Sequence, residues 1–298
     1  MRMLLLFGVL VSSVGLPSFA RAAETGTVEV TRTIVTSEWS PPSPDPMGLT
    51  WDRAARRLLV VDSEVEETAR WRGVNLFRMT RRGRATDGSS LMAFTDEPTD
   101  IVHVPGTGRY FVSSDGPDRV YEVFPGKDAR AFTGDDRVSE INLLRFAFEK
   151  DKARDIEGLA FGAGSLWLVD EAGAEMFRLR PGRDGRWSGR AQRDNIMVHW
   201  DTAGGDQPIP EGVEFAPRSG TLLVVSNRPN SDISEFTKRG KLVAVYDGSA
   251  VGSHSPSGLR WAPSVGRGKS LYMTDRGIDN DRRPNENDGR IFELRLSS

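Results

Sequence analysis

Carboxylate and amide side chains recur at two kinds of position along this sequence. Glu157 and Glu211 each stand directly before a glycine and a short apolar run, whereas Asn227 and Asp275 stand at the end of another apolar run. Oxygen ligands of this kind, in a chain with 3 histidines and no cysteine, suit calcium and, less well, magnesium. We therefore predict a site for a divalent cation, calcium or alternatively magnesium. Its candidate ligands are Glu157, Glu211, Asn227, Asp275, Asp62, Asp170 and Asp100.

Cationic side chains close to these positions could bind an anionic ligand. Arg228 and Arg276 directly follow two of the candidate ligands, and Arg154 stands shortly before Glu157. A guanidinium beside a bound metal would hold a carboxylate or a phosphate that bridges to the metal. Exposed surface decoration is the alternative for each of them, because arginine is the ordinary surface cation of this chain.

Three residues are candidates for acid–base catalysis. Glu157 and Glu211 could serve as a pair of carboxylates, and His254 could act as a general base because it precedes a repeat opening. The sequence contains no G-x-S-x-G elbow, phosphate-binding loop, dinucleotide fingerprint or H-E-x-x-H motif. Any reaction would therefore depend on the cation and on these side chains.

The segments that carry these residues form a repeat, seen most clearly in Asp155–Glu171. It has a polar opening, an apolar run, a glycine-containing turn, a second apolar run and an acidic end. Register positions with the same surroundings lie 46 to 58 residues apart, at Gly48, Asp100, Gly158, Gly212 and Gly258. Repeats of ~40–50 residues that contain several short strands are typical of propeller blades.

The repeats predict an all-β fold, a five-bladed β-propeller with four-stranded antiparallel blades. The predicted blades are residues 47–96, 97–150, 153–203, 207–250 and 255–298. Residues 23–46 supply an N-terminal strand, Thr27–Thr36, and a proline-rich connector. Because the last repeat lacks a fourth strand, we expect this N-terminal strand to close the ring. A six-bladed propeller is the alternative, with a degenerate blade hidden between residues 125 and 153.

Blade geometry would gather the polar residues at one mouth of the central channel. The first strand of a blade starts at one face and the second strand returns to it, so both ends meet there. Asp, Asn and Ser at strand ends can also simply cap turns through their own backbone. That alternative explains Glu157 and Glu211 less well, since glutamate is a poor turn former and gathered like charges repel without a cation or an arginine.

Composition and the N-terminal segment limit where this protein works. Its net charge is −2 and its basic residues are scattered, which argues against a nucleic-acid partner. Residues 1–22 have the pattern of a cleaved signal peptide, with a small-residue site at Ala20-Arg21-Ala22. The apolar run is too short to span a bilayer, and no cysteine is present for a lipid anchor. We predict a periplasmic or secreted monomer without membrane insertion.

Three repeat openings resemble those of a known group of propellers. Met47–Asp52 (MGLTWD), Asp155–Phe161 (DIEGLAF) and Pro210–Phe215 (PEGVEF) resemble the openings of the SdiA-regulated family, exported five-bladed propellers. The E-G-[LV] openings are also similar to those of gluconolactonase/regucalcin and NHL-repeat propellers, and to the "esterase-like activity of phytase" domain.

The gluconolactonase-like resemblance implies a divalent cation bound by one Glu, one or two Asn and an Asp. The matching positions are Glu157 or Glu211, Asn227 and Asp275. The cation would polarise a lactone or ester carbonyl and lower the pKa of a bound water. The chain departs from that family in its number of repeats and in Met47, which stands where an acid is expected.

Two functions follow from these observations. The first is an exported propeller that binds a divalent cation and presents a surface to a small-molecule or protein ligand at the channel mouth. The second is a metal-dependent hydrolase of lactones, esters or phosphoesters at the same mouth. Fold does not decide between them, because propellers support both.

Overall fold

The computed structural model describes residues 23–115, 119–142, 155–182, 185, 187, 196–202, 209–227, 230–278, 283 and 285–297. Within these residues the regular structure is almost entirely β, interrupted by two short 3-10 helices at Thr36–Glu38 and Val65–Glu67. No helix in this part of the chain is long and apolar enough to cross a membrane. The predicted signal peptide, residues 1–22, and the predicted ligand-binding residues Arg154 and Arg228 lie outside the described residues.

Three four-stranded antiparallel sheets contain strands that are neighbours in sequence. The first sheet consists of β2 (Pro46–Asp52), β3 (Arg57–Asp62), β4 (Leu76–Met79) and β5 (Ala85–Ser89). The second consists of β6 (Pro98–His103), β7 (Tyr110–Ser114), β8 (Arg119–Phe124) and β9 (Arg137–Asn142). The third consists of β10 (Ile156–Gly162), β11 (Ser165–Asp170), β12 (Glu175–Leu179) and β13 (Ile196–Asp201).

The eight remaining strands form one continuous sheet that joins both ends of the chain. Its first half is β14 (Pro210–Ala216), β15 (Thr221–Ser226), β16 (Ile233–Phe236) and β17 (Leu242–Asp247). Its second half is β18 (Pro256–Pro263), β19 (Lys269–Asp275), β20 (Arg290–Ser297) and β1 (Glu24–Val35). Strand β1 pairs antiparallel with β20 over most of its length, and its first four residues pair parallel with β17. The N-terminal strand therefore lies between β20 and β17 in this sheet.

The apolar runs of the sequence are buried because every sheet packs against two others. In β3, Leu58 and Val60 belong to the core shared with Tyr272 of β19. Leu59 and Val61 point to the opposite face, where they contact the second sheet. Since successive residues of a strand face opposite sides, a strand covered on both sides needs apolar residues throughout. The run RLLVVD is accordingly apolar without alternation.

The first strands of the repeats pack side by side around a common centre. Strand β2 packs against β6, β6 against β10, β10 against β14, β14 against β18, and β18 against β2. Four glycines permit this close approach, because a Cβ at Gly48, Gly158, Gly212 or Gly258 would collide with the backbone of the next first strand. This radial arrangement of sheets is that of a β-propeller.

The stretch suspected of hiding a further blade is only partly described. Residues 125–142 lead into β9, which is the outer strand of the second sheet. Residues 143–154 lie outside the described residues.

Candidate metal centre

Each first strand begins with a bulge that places one extra residue in it relative to the second strand. In β10, Ile156 pairs with Asp170 and Gly158 pairs with Val169, so Glu157 has no residue opposite it. A β-bulge bends the strand and re-aims the side chain it carries. The residues at this position of the first strands are Met47, Thr99, Glu157, Glu211 and Ser257.

A second set of residues is held beside these bulges by one recurring hydrogen bond. The residue after the second strand of each repeat donates its backbone N–H to the carbonyl of the residue before the first strand, at 2.8 to 3.4 Å. The donors are Ser63, Asp115, Glu171, Asn227 and Arg276, and the acceptors are Asp45, Glu97, Asp155, Ile209 and Ser255. Two rings of side chains are thus brought to the same end of the channel.

A small cavity opens at this end of the channel. Its volume of about 60 Å³ is enough for ions or a few water molecules. Residues from the first, second and last repeats line it together with one from the third. They are Met47, Ser63, Glu64, Glu97, Thr99, Asp115, Glu157 and Arg276.

Two groups of three carboxylates meet at the mouth. Glu157, Glu171 and Glu211 each offer an oxygen within 4.8 Å of the others, and we call them the inner triad. Asp115 and Asp155 form a second such group with Glu157, which we call the outer triad. Glu157 belongs to both. This separation is compatible with oxygens that share one bound cation.

The two glutamates predicted from the sequence are buried, and three of their four carboxylate oxygens lack a hydrogen-bond partner. Glu157 is 5% exposed and Glu211 is 2% exposed. Oε2 of Glu157 and both carboxylate oxygens of Glu211 lack a hydrogen-bond partner, as does Oδ1 of Asp155. A buried charge without partners is strongly unfavourable. These oxygens therefore require a proton or a cation.

Burial and mutual repulsion raise the pKa values of these acids. Burial is the main cause of a pKa of about 8 for Glu211, and it is opposed chiefly by Arg276 and then by the nearby Asn227 amide. Burial also raises the pKa of Glu157 well above its usual range, with repulsion from Glu211 and Asp155 adding to the effect. Without a cation, the two glutamates keep protons to unusually high pH.

Arg276 lies at the mouth, as the sequence suggested, but its guanidinium is engaged by two carboxylates. Nε lies 3.0 Å from Oδ1 of Asp45, and Nη2 lies 2.9 Å from Oε1 of Glu64. The positive charge still favours the ionised form of Glu211 and Glu157. Nε and Nη2, the pair of nitrogens that could bind an anion in a bidentate manner, are thus already bound to protein carboxylates.

The aspartates that end second strands have a different environment from the triads. Asp62, Asp170 and Asp275 are buried, and each accepts backbone N–H groups from its own hairpin or from the segment leading into it. Asp275 also accepts a hydrogen bond of 2.6 Å from Nη2 of Arg290. The structure does not bring these three predicted ligands into either triad. They fit the turn-capping alternative, because donors already surround their oxygens.

Asp100 is also outside the triads, in a network that crosses the channel below them. Arg260 Nε donates to the carbonyl of Leu49 at 2.8 Å, Nη1 to Oε2 of Glu214 at 2.8 Å, and Nη2 to the carbonyl of Leu159 at 2.9 Å. Nη2 also lies 3.5 Å from Oδ2 of Asp100. We call these three charged residues, Asp100, Glu214 and Arg260, the axial network. It joins all of the first strands.

The remaining predicted residues differ in their relation to the mouth. Asn227 follows β15 and lies close enough to Glu211 to lower its pKa. His254 is exposed, and its backbone N–H donates to Asp275. It is not among the described residues that line the cavity.

Sequence reasoning did not nominate Asp115, Asp155 or Glu171 as ligands. Asp115 and Glu171 share one signal, because each directly follows the last residue of a second strand. That position faces the mouth, whereas the preceding residue caps the turn. The axial network also escaped prediction, although Glu214 and Arg260 are charged residues within otherwise apolar first strands.

Comparisons with known proteins support the fold. The sequence matches no protein-family model and no curated protein, so the family resemblances of the repeat openings gain no support from sequence. Glutaminyl cyclase from Myxococcus xanthus superposes with a TM-score of 0.56 at 13% identity, over 93% of this chain and 99% of that one.

Two further solved structures are similar over nearly the whole chain. The PQQ-bound aldose sugar dehydrogenase from Streptomyces coelicolor gives a TM-score of 0.52 at 14% identity, over 91% of this chain and 98% of that one. A luciferin-regenerating enzyme gives 0.51 at 12% identity, over 90% and 95%. Identities this low carry the fold and not the chemistry. Together with the radial arrangement of its sheets, these similarities make the chain a β-propeller.

Proposed function

We propose that this protein is an exported five-bladed β-propeller that binds a divalent cation at its acidic mouth. The blade number is supported by the first strands, in which β2, β6, β10, β14 and β18 pack in a cycle that returns to β2. A separate apolar core fills the space between each neighbouring pair of blades. In this proposal β1 closes the ring as the fourth strand of the last blade.

One observation carries the cation. Glu157 and Glu211 are buried next to each other, and three of their four oxygens have no hydrogen-bond partner. A divalent cation would supply the missing positive charge, and Glu171 would complete the inner triad around it. Asn227 lies beside Glu211 and could add an amide oxygen.

Calcium fits this set of ligands better than magnesium. Calcium accepts six to eight oxygens in flexible geometry, whereas magnesium demands a near-ideal octahedron and retains its waters. The described residues of the triads offer five carboxylates and no imidazole. We assign calcium as the resident ion and keep magnesium as a weaker competitor.

The cation would serve a binding role at the mouth. Arg260 and its partners fill the channel below the triads, so a small-molecule or protein ligand would approach from the mouth. We expect a monomer with no nucleic-acid partner and no membrane insertion, released to the periplasm or the exterior after cleavage at residue 22.

A hydrolase is the second candidate, and the pKa of Glu211 favours it. A carboxyl with a pKa of about 8 can exchange a proton near neutral pH, as a general acid or base must. Glutaminyl cyclase and aldose sugar dehydrogenase share the fold and are enzymes, so the scaffold supports catalysis. Lactones, esters and phosphoesters remain the substrate classes to assay.

Thermal unfolding with calcium, magnesium or chelator tests the cation. At a free calcium concentration 100 times the Kd, binding adds about 2.7 kcal/mol of stability. We expect Glu157→Gln and Glu211→Gln to lose this gain. The exposed Glu29 of β1 provides the control Glu29→Gln, which should keep the gain. A wild-type protein that unfolds at the same temperature in calcium and in chelator would refute the site.

A substrate panel with and without chelator separates the two candidates. Turnover of a lactone, ester or phosphoester that disappears with chelator and with Glu211→Gln would establish the hydrolase. A calcium-stabilised protein without turnover would leave the binding role.

A further inference from the structure

The outer triad gives the mouth a second place for a cation. Asp115 and Asp155 each offer an oxygen within 4.8 Å of one another and of Glu157. Glu157 lies at the boundary, because it also belongs to the inner triad with Glu171 and Glu211. A carboxylate has two oxygens, and one glutamate can bridge two metal ions.

The orphaned oxygens are distributed over both triads. Oε2 of Glu157 and Oδ1 of Asp155 belong to the outer triad, and both oxygens of Glu211 belong to the inner triad. Glu157 is 5% exposed and lines the cavity at the mouth. This buried oxygen without a hydrogen-bond partner is an observation independent of the clustering of acids, and it points to a bound ion.

Charge balance also favours two cations. The two triads contain five carboxylates, while Arg276 directs its hydrogen bonds to Asp45 and Glu64. One divalent cation would leave about three of the five charges uncompensated when all are ionised. A second divalent cation would leave about one.

We propose that the mouth is a two-cation centre in which Glu157 bridges an inner ion, held by Glu171 and Glu211, and an outer ion, held by Asp115 and Asp155. This inference rests on the proposed cation site and extends it. Bridged metal pairs of this kind, ~3.5–4 Å apart, clamp two oxygens of one phosphate group. The centre therefore favours a ligand or substrate with a phosphate or similar oxyanion.

The two ions should differ in affinity. Glu157 and Glu211 of the inner triad are buried, whereas Asp115 of the outer triad is exposed. Water can reach the outer ion through the cavity that Asp115 lines. The inner ion is accordingly the tighter and structural one, and the outer ion keeps the positions at which an oxyanion replaces water.

Calorimetric titration of the metal-free protein with calcium should resolve two binding events. We expect Asp115→Asn to remove the weaker event, Glu171→Gln to weaken the tighter one, and Glu157→Gln to weaken both. The exposed Asp87 of β5 belongs to no acidic group of this kind and provides the control Asp87→Asn, which should leave both events unchanged. Circular dichroism and the melting temperature of each variant show whether it is folded.

Substitution with Mn²⁺ gives a readout that stability alone would not change. Two ions bridged by Glu157 should give a spin-coupled signal in electron paramagnetic resonance, and Asp115→Asn should convert it to that of an isolated ion. Inorganic phosphate should perturb the coupled signal in the wild type and not the signal of Asp115→Asn. A single binding event that Asp115→Asn leaves intact would overturn the two-cation centre and keep the proposed function. No binding event in the wild type would overturn both.

Discussion

The two charged regions along the channel treat buried carboxylates in opposite ways. In the axial network, Asp100 and Glu214 accept hydrogen bonds from backbone N–H groups and from Arg260, and no described oxygen of either is left without a partner. At the mouth, Glu157 and Glu211 are equally buried but three of their oxygens have no partner. The carboxylate oxygens of the axial network thus have hydrogen-bond donors, whereas most of those of Glu157 and Glu211 do not. This contrast is the main support for the proposal that the mouth binds a cation from solution.

The largest effect should come from removing the cation of the axial network. Arg260→Met leaves Asp100 and Glu214 buried without their counter-charge, and breaking such a pair costs about 3–5 kcal/mol. Chemical denaturation should measure this loss, and added calcium should not restore it because the mouth is a separate site. The exposed Arg295 offers the control Arg295→Met, with little change. A full rescue of Arg260→Met by calcium would erase the distinction between the two regions.

The next effect is a pH dependence that belongs to the mouth. In the metal-free folded protein Glu211 keeps its proton up to about pH 8, whereas its ordinary pKa is 4.5. The folded state therefore binds more protons than the unfolded chain between these values, and stability falls as pH rises through that window. The slope from one such group is about 1.4 kcal/mol per pH unit.

Denaturation curves of the wild type and Glu211→Gln between pH 4.5 and 8 isolate this contribution. The variant should show the shallower slope, since both proteins retain the other buried acids, such as Asp100. Saturating calcium should flatten the wild-type slope, because the ion competes with the proton. Parallel curves for the two metal-free proteins would contradict the assignment.

A smaller effect should follow from neutralising one orphaned carboxylate. Without metal, above pH 8, Glu211→Gln should raise stability by about 1–3 kcal/mol, because an unpaired buried charge becomes a neutral amide. With calcium present the order should reverse, since the wild type gains an ion that the variant binds poorly. Melting temperatures in chelator and in calcium give both signs in one experiment. Loss of stability in both conditions would indicate a purely structural glutamate.

The smallest effect concerns an aspartate that the sequence proposed as a ligand. Asp62→Asn should cost about 1 kcal/mol, the value of a hydrogen bond, because the carboxylate accepts from Ser43 Oγ and nearby backbone N–H groups. The calcium-induced gain in melting temperature should stay at the wild-type value. Loss of the calcium response in Asp62→Asn would instead show that Asp62 is a ligand of the cation.

The all-β repeat architecture could largely be predicted from the sequence, because the same local pattern recurs in each repeat. Register glycines, apolar runs and turn residues recur at fixed offsets, and the missing strand of the last repeat indicated a partner from the N-terminus. That strand is found beside β20. The meeting of Glu157 and Glu211 was also predictable, because equivalent positions of neighbouring repeats must lie side by side.

The rest of the site depends on details that repeat spacing does not contain. A bulge decides which residue of a strand start turns into the mouth, and the alternation of side chains decides that Glu171, rather than Asp170, joins Glu157. Arg260 contacts residues 46 to 211 positions away in sequence. Such contacts form only when all five first strands have come together, so no local sequence pattern predicts them.

The pairing of β1 determines when the eight-stranded sheet can be completed during synthesis. The antiparallel partner of β1 is β20, which lies near the opposite end of the sequence. Strand β1 therefore has no antiparallel partner until β20 has been synthesised. The first four residues of β1 also pair with β17 and so join the two halves of the eight-stranded sheet. The antiparallel pair between β1 and β20 can therefore form only after almost the whole of the described chain has been synthesised.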